Sequence, residues 1–243
     1  MKAVILTAGM GKRLGLKLPK ALVEIEKGKT ILDFQLNSLK DLIGMQDVLV
    51  VVGFKKNKII KKYPSLSFVN NGKYRHTQTS ASLKLALEKI NEDVIWMNGD
   101  VFFEKGAILK LLACNKSACL VNKKRCSHEE IKYSLDSKGY IRGLSKQIKN
   151  LVKGEALGIF YLVKNDLEKL KKELIGVNEK EYFEKGVEAI ISKGVKIAPI
   201  DVGNLYCREI DYKSDLIHVK HFVANSLNRT IKQRCQKSSL SSK

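Results

Sequence analysis

The sequence lacks the features of a membrane-spanning or disulfide-bonded protein. None of its apolar runs approaches the roughly 20 residues that a transmembrane helix requires. Its N-terminal region has no small-residue cleavage site of the kind that ends a signal peptide. The five cysteines are odd in number and never spaced Cys-x-x-Cys, which fits a reducing compartment and gives no zinc pattern. We therefore expect a cytoplasmic protein without stable membrane insertion.

Acidic residues are also scarce: 25 Asp and Glu stand against 45 Lys and Arg, which gives a net charge of +20. Such an excess suits an anionic partner such as a nucleotide, a nucleic acid or a membrane surface. Most of the lysines, however, lie beside Glu at helical spacing or in short loops, as solvated surface lysines do. We favour scattered surface charge and expect no nucleic-acid partner, while a basic nucleic-acid-binding protein stays as an alternative.

A further absence is a cluster of Ser, Cys and His suited to nucleophilic catalysis, since the four histidines are scattered. Apolar runs instead alternate with helically spaced apolar positions, and the loops between them are short. This rhythm predicts an α/β fold with a parallel sheet covered by helices. Residues 131–135 and 140–144 alternate in polarity around a turn at 136–139, which predicts a β-hairpin.

A short apolar strand at residues 3–6 leads into a glycine-containing loop, Thr7-Ala8-Gly9-Met10-Gly11-Lys12-Arg13. Small residues let the backbone approach a ligand, and successive amides in such a loop can form an anion-binding nest. Lys12 and Arg13 add donors suited to phosphate. Lys20 follows Pro19 on a stiff turn and adds another cation. The stretch predicts a polyphosphate site.

Two common phosphate-binding patterns do not fit this loop. In the dinucleotide fingerprint a third glycine is needed, but Gly15 falls one residue late, and no acid ends the second predicted strand. The Walker A loop requires Ser or Thr where Arg13 stands. The pattern that fits is Ala-Gly-x-Gly-x-Arg followed by Pro-Lys. With it the chain resembles the nucleotidyltransferases that join an NTP to a small phosphate ester, although most of them have Ala where Thr7 stands.

The short spacing from Arg13 to Pro19 is most similar to the cytidylyltransferase branch, which includes the choline-phosphate, inositol-1-phosphate and 2-aminoethylphosphonate enzymes. The resemblance implies a Rossmann-like, mixed and mainly parallel sheet with helices on both faces and a small β-hairpin insertion for the acceptor. It further implies that CTP and a small phosphate or phosphonate are the substrates.

Carboxylates follow two predicted strands. Asp100 ends the sequence Asn98-Gly99-Asp100 and lies where open α/β sheets bind ligands. Glu209 and Asp211 alternate on a later strand and would repel each other without a cation between them. Asp is a hard oxygen ligand suited to Mg²⁺. Helix capping is the alternative role for Asp100 and Asp211, whereas the resemblance implies that Asp100, Glu209 and Asp211 bind Mg²⁺.

The resemblance also implies roles for further residues. Nucleotide binding falls on the first loop, on the start of a helix near residue 79 and on the turn after the fourth strand, although simple capping would also explain the hydroxyls at that helix start. The nucleotide-binding residues are Leu6, Thr7, Ala8, Gly9, Met10, Gly11, Lys12, Arg13, Gln78, Thr79, Ser82 and Gly99. The acceptor-binding residues are Lys20, Lys146, Glu155 and Gly158, and the catalytic ones are Arg13, Lys20, Asp100 and Lys146.

The acceptor itself stays open at this level. A choline group would need an aromatic cage, for which Trp96, Tyr133, Phe160 and Tyr206 are available. A primary amine would need a carboxylate. The candidates for that role are Glu129, Glu130 and Glu155.

We expect one nucleotidyltransferase domain at residues 1–227, with a nucleotide-binding half (1–122), an acceptor-binding half (123–227) and a basic, disordered tail (228–243). The predicted activity is Mg²⁺-dependent transfer of CMP from CTP to phosphocholine, 2-aminoethylphosphonate or a similar acceptor, with release of pyrophosphate. The product would be an activated headgroup for surface glycan or lipid decoration. A sugar-1-phosphate nucleotidyltransferase using UTP, dTTP or GTP is the alternative. A nucleotide sensor without activity is a third possibility, and the protein is expected to be a monomer or homodimer.

Overall fold

A computed structural model describes residues 1–123 and 129–240, with side chains described up to residue 226. The strands are β1 Lys2–Leu6, β2 Glu24–Glu26, β3 Lys29–Thr30, β4 Val48–Val52, β5 Ser67–Asn70, β6 Val94–Asn98, β7 Val101–Phe103, β8 Ala118–Asn122, β9 Lys132–Leu135, β10 Ile141–Ser145, β11 Gly154–Leu162, β12 Ala198–Asp201 and β13 Cys207–Glu209. The α-helices are α1 Ile31–Leu39, α2 Lys56–Lys62, α3 Thr79–Leu87, α4 Lys105–Ala113, α5 Lys164–Gly176, α6 Glu184–Ser192 and α7 Lys213–Leu240.

Most of the strands form one mixed sheet. Strands β5, β4, β1 and β6 are parallel to their neighbours in that order. Strand β11 then runs antiparallel to β6 and to β8, and β12 is parallel to β8. The hairpin β9–β10 joins the sheet at the beginning of β11. This confirms the predicted Rossmann-like, mainly parallel sheet and its hairpin.

Both faces of the sheet are buried, and successive residues of each central strand enter different cores. In β6, Trp96 packs with α3, α5 and α6 on one face, whereas Ile95 and Met97 pack with α1, α2 and α4 on the other. Continuous apolar strands of this kind are typical of parallel sheets covered on both sides. Helix α7 packs apart from both faces, on β2 and on Phe102.

The strand pairing brings the carboxyl ends of two parallel strands together. Leu6 of β1 lies beside Asn98 of β6, and the amide of Gly99 donates to the carbonyl of Leu6 (2.9 Å). Because β11 is antiparallel to β6, its beginning lies at this same edge. Residues 7–13 and 98–100 therefore lie side by side at the carboxyl ends of β1 and β6.

Gly158 shows how tightly β11 approaches that edge. Its φ is +64°, and a Cβ there would lie 2.5 Å from Asn98 Nδ2 and 3.0 Å from Glu209 Oε1. Any L side chain would be strained in this left-handed conformation and would displace both groups. A glycine is thus required beside two polar groups of the sheet edge.

The final helix differs from the sequence prediction. Helix α7 runs from Lys213 to Leu240 and so extends into the segment from residue 228 that we expected to be a disordered tail. The chain from 228 has no Pro or Gly to stop a helix, and its Lys, Arg, Gln and Leu residues are good helix formers. The short strands β2, β3 and β7 were also not predicted.

No helix in the described ranges is long and apolar enough to cross a membrane.

Thr30 provides a test of how α1 is held. Its hydroxyl accepts from the amide of Asp33, and the Asp33 carboxylate accepts from the amide of Thr30, so the two form a capping box. We expect Thr30→Ala to lower the free energy of unfolding by about 1 kcal/mol. Urea unfolding would measure this. Thr30→Ser keeps the hydroxyl and is the control, and an equal loss in both variants would contradict a capping role.

Candidate active site

A cavity of about 340 Å³ opens where β1 and β6 end. It is bounded by the first loop, the start of α3, the segment before β9, the end of β10, the start of α6 and the chain after β13. Its lining residues are Leu6, Thr7, Gly9, Met10, Gly11, Lys12, Arg13, Lys20, Ala21, Gln78, Thr79, Asn98, Gly99, Asp100, Glu129, Ile131, Lys146, Tyr182, Glu184, Glu209 and Asp211.

The first loop presents backbone amides to this cavity. Within the part of the chain that the structure describes, the amides of residues 9–13 donate no backbone hydrogen bond. Gly11 makes this path possible, because its φ is +58° and a Cβ there would lie 2.6 Å from Lys20 Cγ. Thr7 fits in place of Ala, since its hydroxyl donates to the carbonyl of Val51 (2.7 Å). The loop can therefore bind an anion with several donors.

The Lys20 ammonium lies between two carboxylates. Its Nζ is 2.9 Å from Asp100 Oδ2, and it also donates to Asp211 Oδ1. The three side chains are mostly buried, with exposed fractions of 12%, 24% and 19%. Burial lowers the pKa of Lys20, but its attraction to Asp100 and Asp211 outweighs this effect and raises the pKa above the ordinary value. Lys20 is therefore protonated here.

Arg13 extends this network toward the cavity mouth. Its Nη1 is 3.0 Å from Asp211 Oδ2 and 2.9 Å from Glu129 Oε2. The guanidinium also lies over the Tyr212 ring, 5.8 Å from its centroid. Asp211 thus has a cation on each of its two oxygens, which fixes its orientation.

Glu209 lies behind the two aspartates and accepts from Asn98 Nδ2 (3.2 Å). Burial, together with repulsion from Asp100 and Asp211, raises the pKa of Glu209 well above the ordinary carboxyl value. The hydrogen bond from Asn98 opposes this shift. Glu209 therefore holds a proton more readily than an ordinary carboxyl group does.

The chemistry of these donors fits a hard divalent cation. The described residues contain no preassembled group of three or more metal-liganding side chains. Asp100 and Asp211, however, approach the same Lys20 ammonium from two distant parts of the chain, and Glu209 interacts electrostatically with both aspartates. Carboxylate oxygens are the ligands that Mg²⁺ prefers. The set is suited to Mg²⁺ on chemical grounds, and its role as a metal site stays a prediction.

Lys146 and Glu184 add a second pair of charges to the cavity lining. The Lys146 Nζ lies over the Tyr182 ring, 5.2 Å from its centroid. Glu184, at the start of α6, is only 6% exposed. Burial raises the pKa of Glu184 to about 7, although the nearby Lys146 acts to lower it.

The structure brings most of the predicted site residues together, but four lie elsewhere. Ala8 is buried behind the loop, and its carbonyl accepts from the amide of Phe54. Ser82 is buried and accepts from Asn71 Nδ2, so it supports the loop before α3 from inside. Gly158 lies behind Asn98. Glu155 lines an adjoining cavity of about 190 Å³.

Several lining residues escaped the sequence prediction, namely Asn98, Tyr182 and Glu184 as site residues. Tyr182 and Glu184 are separated from the other motifs by a helix and have no recognisable spacing.

The proposed choline cage is not formed. Trp96, Tyr133 and Phe160 are fully buried in the core, and Tyr206 stacks on Phe222 with ring centroids 4.1 Å apart. None of these four rings lines the cavity.

Fold and cavity together define the nucleotidyltransferase class: a mainly parallel sheet whose strand ends carry an amide-lined loop, two cations and opposed carboxylates. The chain belongs to the family of MobA-like NTP transferase domains, whose family model matches residues 3–161. The predicted superfamily is thereby confirmed.

Three curated relatives resemble parts of the chain. CMP-5'-(3-aminopropyl)phosphonate synthase of Streptomyces rubellomurinus is 34% identical over 49% of this chain and 20% of its own length. Choline-phosphate cytidylyltransferase of Streptococcus pneumoniae is 35% identical over 37% and 41%. UTP–glucose-1-phosphate uridylyltransferase of Haloferax volcanii is 38% identical over 42% and 44%. The chain thus matches less than half the length of each.

A solved structure supports the fold over most of the chain. The inositol-1-phosphate CTP transferase from T. maritima superposes with a TM-score of 0.74 and 19% identity, covering 90% of this chain and 94% of that one. At this identity the similarity concerns the fold alone.

The raised pKa of Glu209 predicts a pH effect on stability. Between its ordinary pKa of 4.5 and the raised value, the folded protein binds more protons than the unfolded chain, so the free energy of unfolding falls as pH rises. We expect Glu209→Gln, which removes this proton uptake, to reduce the fall by up to about 1.4 kcal/mol per pH unit. Urea unfolding at about pH 6 and about pH 8, with a chelator present, would measure it.

The matched control is Glu168→Gln, which removes an exposed carboxylate paired with Lys171 on α5. This variant should keep the pH dependence of the unmodified protein. An unchanged pH dependence in Glu209→Gln would contradict the raised pKa of Glu209 in the folded protein.

Proposed function

We propose that the protein is a Mg²⁺-dependent cytidylyltransferase that transfers CMP from CTP to a small phosphate or phosphonate and releases pyrophosphate. The single observation that carries the proposal is the arrangement around one cavity of free loop amides, Arg13, Lys20 and the carboxylates Asp100 and Asp211. Donors and hard oxygen ligands of this kind suit a triphosphate with its metal ion.

In this proposal the triphosphate lies along residues 7–13. The loop amides and Arg13 neutralise its charge, and Gln78 and Thr79 face the nucleoside from the start of α3. Asp100 and Asp211 would hold Mg²⁺, with Glu209 behind them. When bound, the ion would supply charge neutralisation at the α-phosphate.

Lys20 and Lys146 are proposed to bind the acceptor's phosphate or phosphonate. An oxygen of that ionised group attacks the α-phosphorus in line, a new P–O bond forms, and the bond to pyrophosphate breaks. No general base is needed, because the attacking oxygen carries no proton. Catalysis then depends on positioning and on charge stabilisation by Arg13 and the two lysines.

The choice of cytidine is supported by the names of two relatives, the CMP-phosphonate synthase and the choline-phosphate enzyme. The uridylyltransferase relative favours the alternative, a sugar-1-phosphate enzyme that uses UTP. The missing aromatic cage gives no support to choline as the acceptor group. A substrate panel separates these possibilities.

The panel measures pyrophosphate release with CTP, UTP, dTTP and GTP against phosphocholine, 2-aminoethylphosphonate, inositol-1-phosphate and glucose-1-phosphate. We expect the highest kcat/KM for CTP with 2-aminoethylphosphonate or with one of the phosphorylated alcohols, phosphocholine and inositol-1-phosphate. Faster turnover of UTP with glucose-1-phosphate would instead support the alternative. Pyrophosphate release with none of the pairs would leave the proposed activity without support.

Removing one of the proposed metal ligands tests the chemistry. Asp100→Asn should lower kcat by at least about 100-fold, because it removes a carboxylate that is proposed to hold Mg²⁺ at the reacting phosphate. Asp41→Asn is the matched control, since Asp41 is exposed and pairs with Lys105 away from the cavity. Turnover that survives both Asp100→Asn and a chelator would contradict the metal assignment.

A further inference from the structure

Glu184 is a buried carboxylate that the proposed reaction does not use. It is 6% exposed and lines the cavity from the start of α6. Its carboxylate interacts with its own backbone amide. Among the described residues, no other group donates a hydrogen bond to it. A buried carboxylate without a partner is costly to maintain, so its retention points to a ligand.

The position of Glu184 is fixed by the residue before it. Phe183 is fully buried and packs edge-on against Trp96 and Phe160, with centroid distances of 5.8 and 5.5 Å. Its amide donates to Thr79 Oγ1 (3.0 Å), which ties the start of α6 to the start of α3. The carboxylate is therefore held against the cavity by the core and has little freedom to turn toward solvent.

Lys146 and Glu184 place a positive and a negative charge near each other in the cavity lining. Lys146 lies near enough to Glu184 to affect its titration, and Lys146 also lies over Tyr182. A cation and an anion side by side complement a small molecule that carries an anion and a cation. In the proposed function Lys146 binds the phosphate or phosphonate, which leaves Glu184 for a positive group on the same acceptor.

We infer that Glu184 binds a primary ammonium group of the acceptor, so that the substrate is a zwitterionic aminoalkyl phosphate or phosphonate. This inference rests on the proposed function and specifies its acceptor. Tyr182 is the one aromatic ring among the described lining residues, and a trimethylammonium group would need several. A carboxylate that accepts N–H hydrogen bonds suits a primary amine instead.

A competing location is the adjoining cavity, which is lined by Glu130 and Glu155. Those carboxyl groups interact with each other, and Glu155 also accepts from Asn122 Nδ2. Arg208 lies close enough to offset part of their charge. Glu155 thus accepts a hydrogen bond from a neighbouring side chain, whereas none of the described side chains donates one to Glu184.

The test compares two acceptors of nearly equal shape with CTP and Mg²⁺. 2-Aminoethylphosphonate carries an ammonium where propylphosphonate carries a methyl group. We expect kcat/KM to favour the amine by at least about 10-fold, the factor that a hydrogen bond to a charged group supplies. Phosphoethanolamine should likewise be favoured over phosphocholine.

Glu184→Gln should lower the amine preference, measured as the ratio of kcat/KM for the two phosphonates, about 10-fold. Glu184→Asp should restore part of the preference, and Glu168→Gln should keep all of it. Thermal unfolding of each variant separates loss of fold from loss of recognition. The comparison of the two acceptors on the unmodified protein needs no variant at all.

Three results would overturn the inference. These are equal kcat/KM for the two phosphonates, a preference that persists in Glu184→Gln, and a preference that is lost in Glu155→Gln alone. In each case pyrophosphate is still released from CTP, so the proposed function survives. If no combination of acceptor and NTP releases pyrophosphate, the proposed function and this inference are both wrong.

Discussion

The interaction on which the site depends is the ammonium of Lys20 between Asp100 and Asp211. The two carboxylates come from chain segments more than a hundred residues apart, and each is mostly buried. Without a cation between them their repulsion in a low-dielectric pocket would force them apart or protonate one of them. The pKa of Glu209 is raised by burial first and then by repulsion from Asp100 and Asp211. The balance of charge therefore determines which ligands the cavity can accept.

The sheet topology creates this balance. Parallel pairing of β1 with β6 brings the first loop beside Asp100, and β13 pairs with β7 so that Ile210 donates to the carbonyl of Asp100 (2.9 Å). Gly158 allows the antiparallel β11 to close the same edge. In the same cavity, the buried Phe183 places Glu184. The two substrates that we propose, a nucleoside triphosphate and an aminoalkyl phosphonate, carry charges that complement those of the lining.

The local pattern of the sequence predicted much of this architecture. The turn at residues 136–139 indicated the β9–β10 hairpin, and the apolar run at residues 3–6 indicated β1. The first loop and Asp100 were predicted because their chemistry is visible in short motifs. How the chain divides into nucleotide and acceptor halves stays a prediction, since one continuous sheet spans both.

The remaining features depend on distant contacts that no local pattern reveals. Ser82 has the residue type of a nucleotide contact, yet its hydroxyl faces Asn71 in the interior. Glu184 resembles any acid in the first turn of a helix, and only the packing of Phe183 on Trp96 places it in the cavity.

The most direct test of the account is a crystal structure of the protein with CTP and Mg²⁺. We predict the triphosphate along residues 7–13, the metal ion on Asp100 and Asp211, and the Lys20 ammonium displaced from its position between the two aspartates. A nucleotide bound elsewhere, or bound in this cavity while Lys20 still bridges both aspartates, would contradict it.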